Sequence, residues 1–281
     1  MRFLFILALT VALPVEAAQS LRIILTNDDG YDSPGIKALH SALSKAGHDV
    51  FVIAPATQQS GASASISVRG VKVSEHPGQI WAVHGRPSDA VRVGLGHIMF
   101  DSPPDLVVSG ANFGQNTGQE VNISGTVGAA VTAMQLGVPA IALSVEIKLA
   151  ESRDGFPSTL AAFSGAAGLL VRLIENLDLE DLTSVLNVNY PARLPLDVRG
   201  VRWAKLSDHS LFGRRYNRQA DGTYTPEFVE LDEHTHRNDA EFLVDGWVTL
   251  TFLDGNMSVP VHSSQKYLGR QLLDRNDETI P

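Results

Sequence analysis

The chain has 281 residues, 44% of them hydrophobic and 19% charged, a balance that supports a folded apolar core and excludes a disordered chain. Its formal net charge is −9, with 22 Lys plus Arg and no basic block, so binding of a nucleic acid polymer has no electrostatic support. A small anion in one local pocket is still compatible with that field. The chain contains no cysteine, which removes disulfides, thiolate zinc sites and a cysteine nucleophile.

Residues 1–17 read as a signal peptide. Arg2 supplies a short positive start, residues 3–13 are an apolar run too short to span a bilayer, and Pro14 breaks it. Val15-Glu16-Ala17 places small side chains where a signal peptidase cuts, so cleavage after Ala17 is expected. That would leave an exported chain, periplasmic or secreted; the alternative is a cytoplasmic one. No later segment reads as a membrane span, and residues 18–281 are expected to form one domain, with a core over 21–190 and an arm over 200–281.

Residues 21–26 form a β-branched and Leu run that predicts a buried strand ending in Asn27-Asp28-Asp29-Gly30. Pro34 opens a helix with Ile36, Leu39 and Leu43 at helical spacing, closed at Gly47. Residues 49–54 are a second strand, which makes a β-α-β unit and points to a parallel sheet. Residues 56–64 are a polar loop, and 66–73 with 79–83 alternate like a hairpin. Further on, 87–98 predict a helix, 105–109 a strand, 110–122 a glycine-rich loop, and Ser124 the start of a helix carrying Val127, Ala130, Val131 and Met134 on one face. Residues 138–143 are the next strand, 160–174 a helix and 185–188 a strand. Residues 207–240 are polar and read as an extended arm or hairpin, 247–252 as a strand, and the tail from Asp274 as loose. Trp81, Trp203 and Trp247 read as packing residues.

Three loops rich in small polar residues each follow a predicted strand, and in an open α/β sheet ligands bind at the carboxyl ends of the strands. In the first, the adjacent carboxylates of Asp28 and Asp29 repel one another unless a cation or hydrogen bonds compensate. A hard divalent ion with oxygen ligands suits them, although Asn, Asp and Gly also make ordinary turns. The second loop, Gln58-Gln59-Ser60-Gly61, offers hydroxyls and backbone N–H groups. The third carries Asn112 and Asn116, then Ser124-Gly125-Thr126 at a helix N-terminus, where free N–H groups and the helix dipole favour phosphate. Ser124 also fits a plain helix cap. No Walker loop and no Gly-x-Ser-x-Gly elbow is present. His234-Thr235-His236 reads as a solvated arm tip rather than a zinc site, and nothing marks His84, near Asp89, as a general base.

Five spaced motifs then carry a resemblance: Ile-Leu-Thr-Asn-Asp-Asp-Gly at 24–30, Ala-Pro-Ala-Thr-Gln-Gln-Ser-Gly at 54–61, Gly-Arg-Pro-Ser-Asp-Ala-Val at 85–91, Val-Ser-Gly-Ala-Asn at 108–112 and Ser-Gly-Thr-Val at 124–127. Together and in this order they resemble the SurE family of survival-protein 5'/3'-nucleotidases. The resemblance implies a Rossmann-like three-layer α/β sandwich with a mostly parallel sheet, extended by a C-terminal arm used in dimer or tetramer assembly. It implies one divalent metal ion, Mg²⁺ or Mn²⁺, on Asp28, Asp29, Ser60 and Asn112. It also implies phosphate contacts at Gly61, Asn116, Ser124, Gly125 and Thr126. The chain departs from the family in its N-terminal extension, in Ile123 where a tyrosine is usual, and in Ala90 where cysteine is frequent.

The expected reaction is hydrolysis of a nucleoside monophosphate by water, with Asp28, Asn116 and Ser124 in catalytic roles. A covalent aspartyl-phosphate is the lesser alternative. A nucleotide- or phosphate-binding protein without turnover is the competing class, and the paired aspartates fit it badly because without a metal they repel an anion.

Overall fold

The structure is a computed structural model and describes residues 19–210, 212–230 and 237–256. The expected signal peptide, the His234 and His236 pair and the C-terminal tail lie outside the described residues.

Among the described residues, eleven strands and five α-helices follow in the order β1 (Arg22–Thr26), α1 (Pro34–Lys45), β2 (Asp49–Pro55), β3 (Lys72–His76), β4 (Ile80–His84), α2 (Pro87–Val93), β5 (Leu106–Phe113), α3 (Gly125–Gln135), β6 (Ala140–Val145), α4 (Pro157–Asn176), β7 (Val185–Tyr190), β8 (Val201–Trp203), β9 (Phe212–Arg218), β10 (Tyr224–Glu230), α5 (Asp239–Val244) and β11 (Val248–Leu253). Nine strands form one sheet in the order β3-β4-β2-β1-β5-β6-β7-β11-β8, and β9 and β10 pair separately. The run from β4 to β7 is parallel, β3 is antiparallel to β4, and β11 is antiparallel to β7 and parallel to β8.

The central strands are apolar on both faces, as a doubly covered parallel sheet requires. Ile23 and Leu25 join Leu39, Leu43, Phe163 and Leu170 of α1 and α4 on one side. Ile24 and Val107 join Ala90, Val91, Val127 and Ala130 of α2 and α3 on the other. This is a three-layer α/β sandwich, and the loops after β1, β2 and β5 emerge at the same sheet edge.

Several expectations need correction. Residues 66–71 do not form a strand, because Ser67 donates from its backbone N–H and its hydroxyl to Asp89 and the chain turns through Gly70 before β3 begins at Lys72. Helix 87–98 divides into α2 and a π-helical turn over Gly94–Ile98. Strand β5 runs past Ser109: pairing with β6 shifts and resumes at Asn112↔Ser144 and Phe113↔Val145, so the glycine-rich loop opens only at Gly114. The polar stretch 207–240 does hold the expected hairpin, β9–β10, but it also takes in the start of α5. Trp203 is 59% exposed and stacks on Phe252 rather than packing inside. Helix α4 is long and apolar enough to cross a membrane, contrary to the sequence reading, but half of its apolar stretch is buried and its Ala, Phe and Leu face belongs to the core.

Candidate active site

At the end of β1 it is Asn27 that makes the turn. Its side-chain oxygen accepts from Gly30 N at 3.1 Å, and its amide donates to Gly30 O at 3.0 Å and Ser33 Oγ at 2.8 Å. Asp28 and Asp29 are therefore spared that task. Asp28 is 2% exposed, and its Oδ1 accepts from Thr126 Oγ1 at 2.5 Å. The helix α3 N-terminus comes so close that a Cβ on Gly125 would stand 2.7 Å from Asp28 Oδ2, a contact only glycine admits. Asp29 Oδ2 accepts from Phe113 N at 2.9 Å.

Burial raises the Asp28 carboxyl above its ordinary range, with the Thr126 hydroxyl the largest opposing influence. Asp29 is pushed up to about 6, first by burial and then by repulsion from Asp28. Both carboxylates thus sit where their charged forms are disfavoured, and protonation or a bound cation would relieve them.

From the second loop, Ser60 is exposed and its Oγ accepts from Gln58 Nε2 at 2.5 Å. From β5, the Asn112 amide donates to Gly114 O at 2.6 Å, while its buried Oδ1 has no hydrogen-bond partner. A buried carbonyl oxygen left unpaired costs about 1–3 kcal/mol, and a hard cation is a natural partner for it. Asn116 is fixed through its backbone: its N–H donates to Asn189 Oδ1 at 2.7 Å, and Asn187 and Asn189 both donate to its carbonyl. Its side-chain amide donates to Ser144 Oγ at 2.8 Å. Ser124 caps α3 by accepting from Val127 N at 3.1 Å, which leaves its own hydroxyl proton to donate elsewhere.

Asp28, Ser60, Gly61, Asn112, Asn116 and Ser124 line one cavity of about 180 Å³. Asp29, Gly125 and Thr126 are not among its lining residues: Thr126 is fully buried with its hydroxyl spent on Asp28, and Gly125 is buried against the same carboxylate. Of the sequence-derived set, six residues converge on the cavity and three stand around it.

The family model for survival protein SurE matches residues 23–212. The chain belongs to the SurE family. It is 32% identical to the 5'-nucleotidase SurE of Lawsonia intracellularis over 246 residues, covering 85% of this chain and 94% of that one. It is 41% identical to 5'-nucleotidase SurE 1 of Burkholderia lata over 182 residues, covering 64% and 68%. The crystal structure of the SurE protein from Aquifex aeolicus matches with a TM-score of 0.72 at 29% identity, covering 88% of this chain and 99% of that one.

This SurE chain also holds site residues that sequence reading missed. Asn187 and Asn189 sit two apart on β7 and face the site loop together, a period-two pattern visible only once the strand is known to be buried. Ile147, Arg214 and Phe228 also line the cavity, the last two from the β9–β10 hairpin. His84 is exposed and bonds Ser74, while Asp89 is taken up by Ser67 and Arg86 N, so neither serves the cavity.

Proposed function

We propose that this chain is a metal-dependent phosphomonoesterase that hydrolyses nucleoside 5'-monophosphates, and 3'-monophosphates in the broader case, to nucleoside and phosphate. The observation that carries the reading is the unpartnered Asn112 Oδ1 in the same cavity as the Asp28 carboxylate and the N-terminus of α3. Relatives named as 5'-nucleotidases support the substrate class.

Asp28, Asp29, Ser60 and Asn112 would hold one divalent ion, Mg²⁺ or Mn²⁺, since the donor set is entirely oxygen. The chemistry supplied by such an ion is positive charge for the phosphoryl group and a lowered pKa for water in the site. In the reaction a water oxygen bonds to phosphorus, the ester P–O bond breaks, and a proton reaches the departing alkoxide. Asp28, held by the Thr126 hydroxyl and by the backbone N–H groups of Gly125 and Thr126, would orient the water and take its proton. Ser124 donates its hydroxyl to the phosphoryl oxygens, and the dipole of α3, whose first backbone N–H groups hold the Asp28 carboxylate, favours negative charge there. Asn116, locked by Asn187 and Asn189, keeps its loop at a fixed distance from them. The proposal includes assembly as a homodimer or homotetramer through the C-terminal region, measurable by sedimentation.

A panel of phosphate esters assayed with Mg²⁺, Mn²⁺ or Zn²⁺ on wild type and Asp29→Asn tests the reading. Metal-dependent phosphate release from nucleoside monophosphates, weakened in Asp29→Asn, is the expected outcome. Tight nucleotide binding without release in any metal would overturn it.

A further inference from the structure

The cavity lining has two origins. The polar residues near Asp28 come from the loops after β1, β2 and β5 and from the start of α3, whereas Arg214 and Phe228 come from the separate β9–β10 hairpin. At about 180 Å³ the cavity is smaller than the ~300–1,000 Å³ of sites that enclose a whole drug-sized ligand. It has room for a phosphoryl group and part of a sugar, so the remainder of a nucleotide must reach its mouth.

The hairpin presents a suitable surface there. Arg214 and Phe228 are directly opposite across the two strands, and the guanidinium carbon lies 5.3 Å from the ring centroid. Among the described residues that line the cavity, Arg214 is the one cation, and the lining includes the carboxylates of Asp28 and Glu120. Phe228 is 47% exposed, a large aromatic surface left to water beside a polar cavity. The root of the hairpin is registered on the site loop rather than free. Asp239 accepts from both Gly118 N at 3.0 Å and Ser207 N at 2.7 Å, and Gln119 donates to Asp208 O at 2.7 Å. Ser210 bonds the Glu120 carboxylate. Gly118 has φ +52 and a Cβ there would stand 2.5 Å from His209 O, so the loop and the hairpin root fit only with glycine between them.

We infer that the Arg214–Phe228 pair is the receptor for the nucleoside part of the substrate, with the base stacked on the aromatic or guanidinium plane at the cavity mouth. The inference rests on the nucleotidase reading. Every base has a π-face, and stacking on Phe or on an Arg plane is the mode by which proteins hold bases without a hydrogen-bond code. The guanidinium already lies over the ring, so little ordering remains to be done when a base arrives. Such a receptor separates nucleotides from phosphate esters that lack a base and discriminates weakly among bases.

The test compares kcat/KM for adenosine monophosphate with kcat/KM for ribose 5-phosphate in wild type, Phe228→Ala, Phe228→Tyr, Arg214→Ala and Arg214→Lys. The ratio is expected to fall about 10-fold in Phe228→Ala, mainly through KM, and to return in Phe228→Tyr. Calorimetric titration with adenosine, which has no phosphate, gives a readout independent of turnover and is expected to weaken by the same factor in Phe228→Ala. An unchanged ratio with nucleotides still hydrolysed overturns the receptor and leaves the nucleotidase reading standing. Adenosine binding lost in Phe228→Ala, in a protein that hydrolyses no ester, supports the receptor and overturns that reading.

Discussion

The floor of the cavity and the hairpin at its mouth are built in opposite ways. Asp28, Asn112, Asn116 and Ser124 are each less than a tenth exposed and are tied by hydrogen bonds to β6, β7 or α3 or to their own loop. Moving any of them strands a buried polar group at about 1–3 kcal/mol. Arg214 and Phe228 are exposed, stand on a two-stranded sheet outside the main one, and depend on a handful of bonds at the hairpin root. Segments of that kind open and shift at low cost. Under the proposed function, the rigid sheet edge would take the reacting end of the substrate and the appendage its choice.

Breaking the floor should cost most. Asp28→Asn is expected to lower phosphate release by about 10³-fold while leaving the melting temperature equal or higher, since it removes a charge that burial disfavours. A variant with near-normal turnover contradicts the division drawn above. Ser124→Ala separates two roles of one hydroxyl. Loss of the cap to Val127 should cost about 1 kcal/mol in a denaturant titration, and loss of the donated hydrogen bond about 10²-fold in rate. Loss of stability alone would reduce Ser124 to a cap. Gly125→Ala places a methyl against Asp28 and should destabilise by about 1–3 kcal/mol with reduced activity. Neither of these two substitutions should alter the ratio between nucleotides and base-free esters, which the hairpin governs.

The smallest effect concerns pH. The folded-state pKa of Asp29 is raised from 3.8 to about 6. Between those values the native state holds a proton that the unfolded chain has lost. In protein treated with EDTA, the stability from this group should therefore fall as pH rises from 3.8 to about 6 and level off above that. Thermal melts at about pH 5 and pH 7.5 check this, with Asp29→Asn expected to flatten the slope and Mn²⁺ expected to help more at the higher pH. A wild-type slope no steeper than that of Asp29→Asn contradicts the assignment.

The sheet core was legible because β1, β2, β5 and β6 are short apolar runs ending in polar loops, the pattern that strands buried on both faces of a parallel sheet produce. The strand misread at 66–71 alternates as well as a real one does; only the pull of Asp89 on Ser67, twenty-two residues away, decides it. At the site, Asp28, Ser60, Asn112 and Ser124 stood out by loop position. Asn187 and Asn189 did not, since two asparagines inside an apolar strand carry no mark until Asn116 is placed against them. Arg214 and Phe228 lie in a polar stretch whose sequence says hairpin and nothing of where it folds back. Thr126, expected at phosphate, turned out to hold Asp28, which follows from the approach of α3 to β1 and from no local feature.

Manganese binding measured together with turnover is the most direct test of the central claim. The expected result is one Mn²⁺ per chain by electron paramagnetic resonance titration, phosphate release from a nucleoside monophosphate that rises with occupancy and stops in EDTA, and loss of both in Asp28→Asn. Full turnover in metal-stripped protein, or unchanged Mn²⁺ binding in Asp28→Asn, would contradict it.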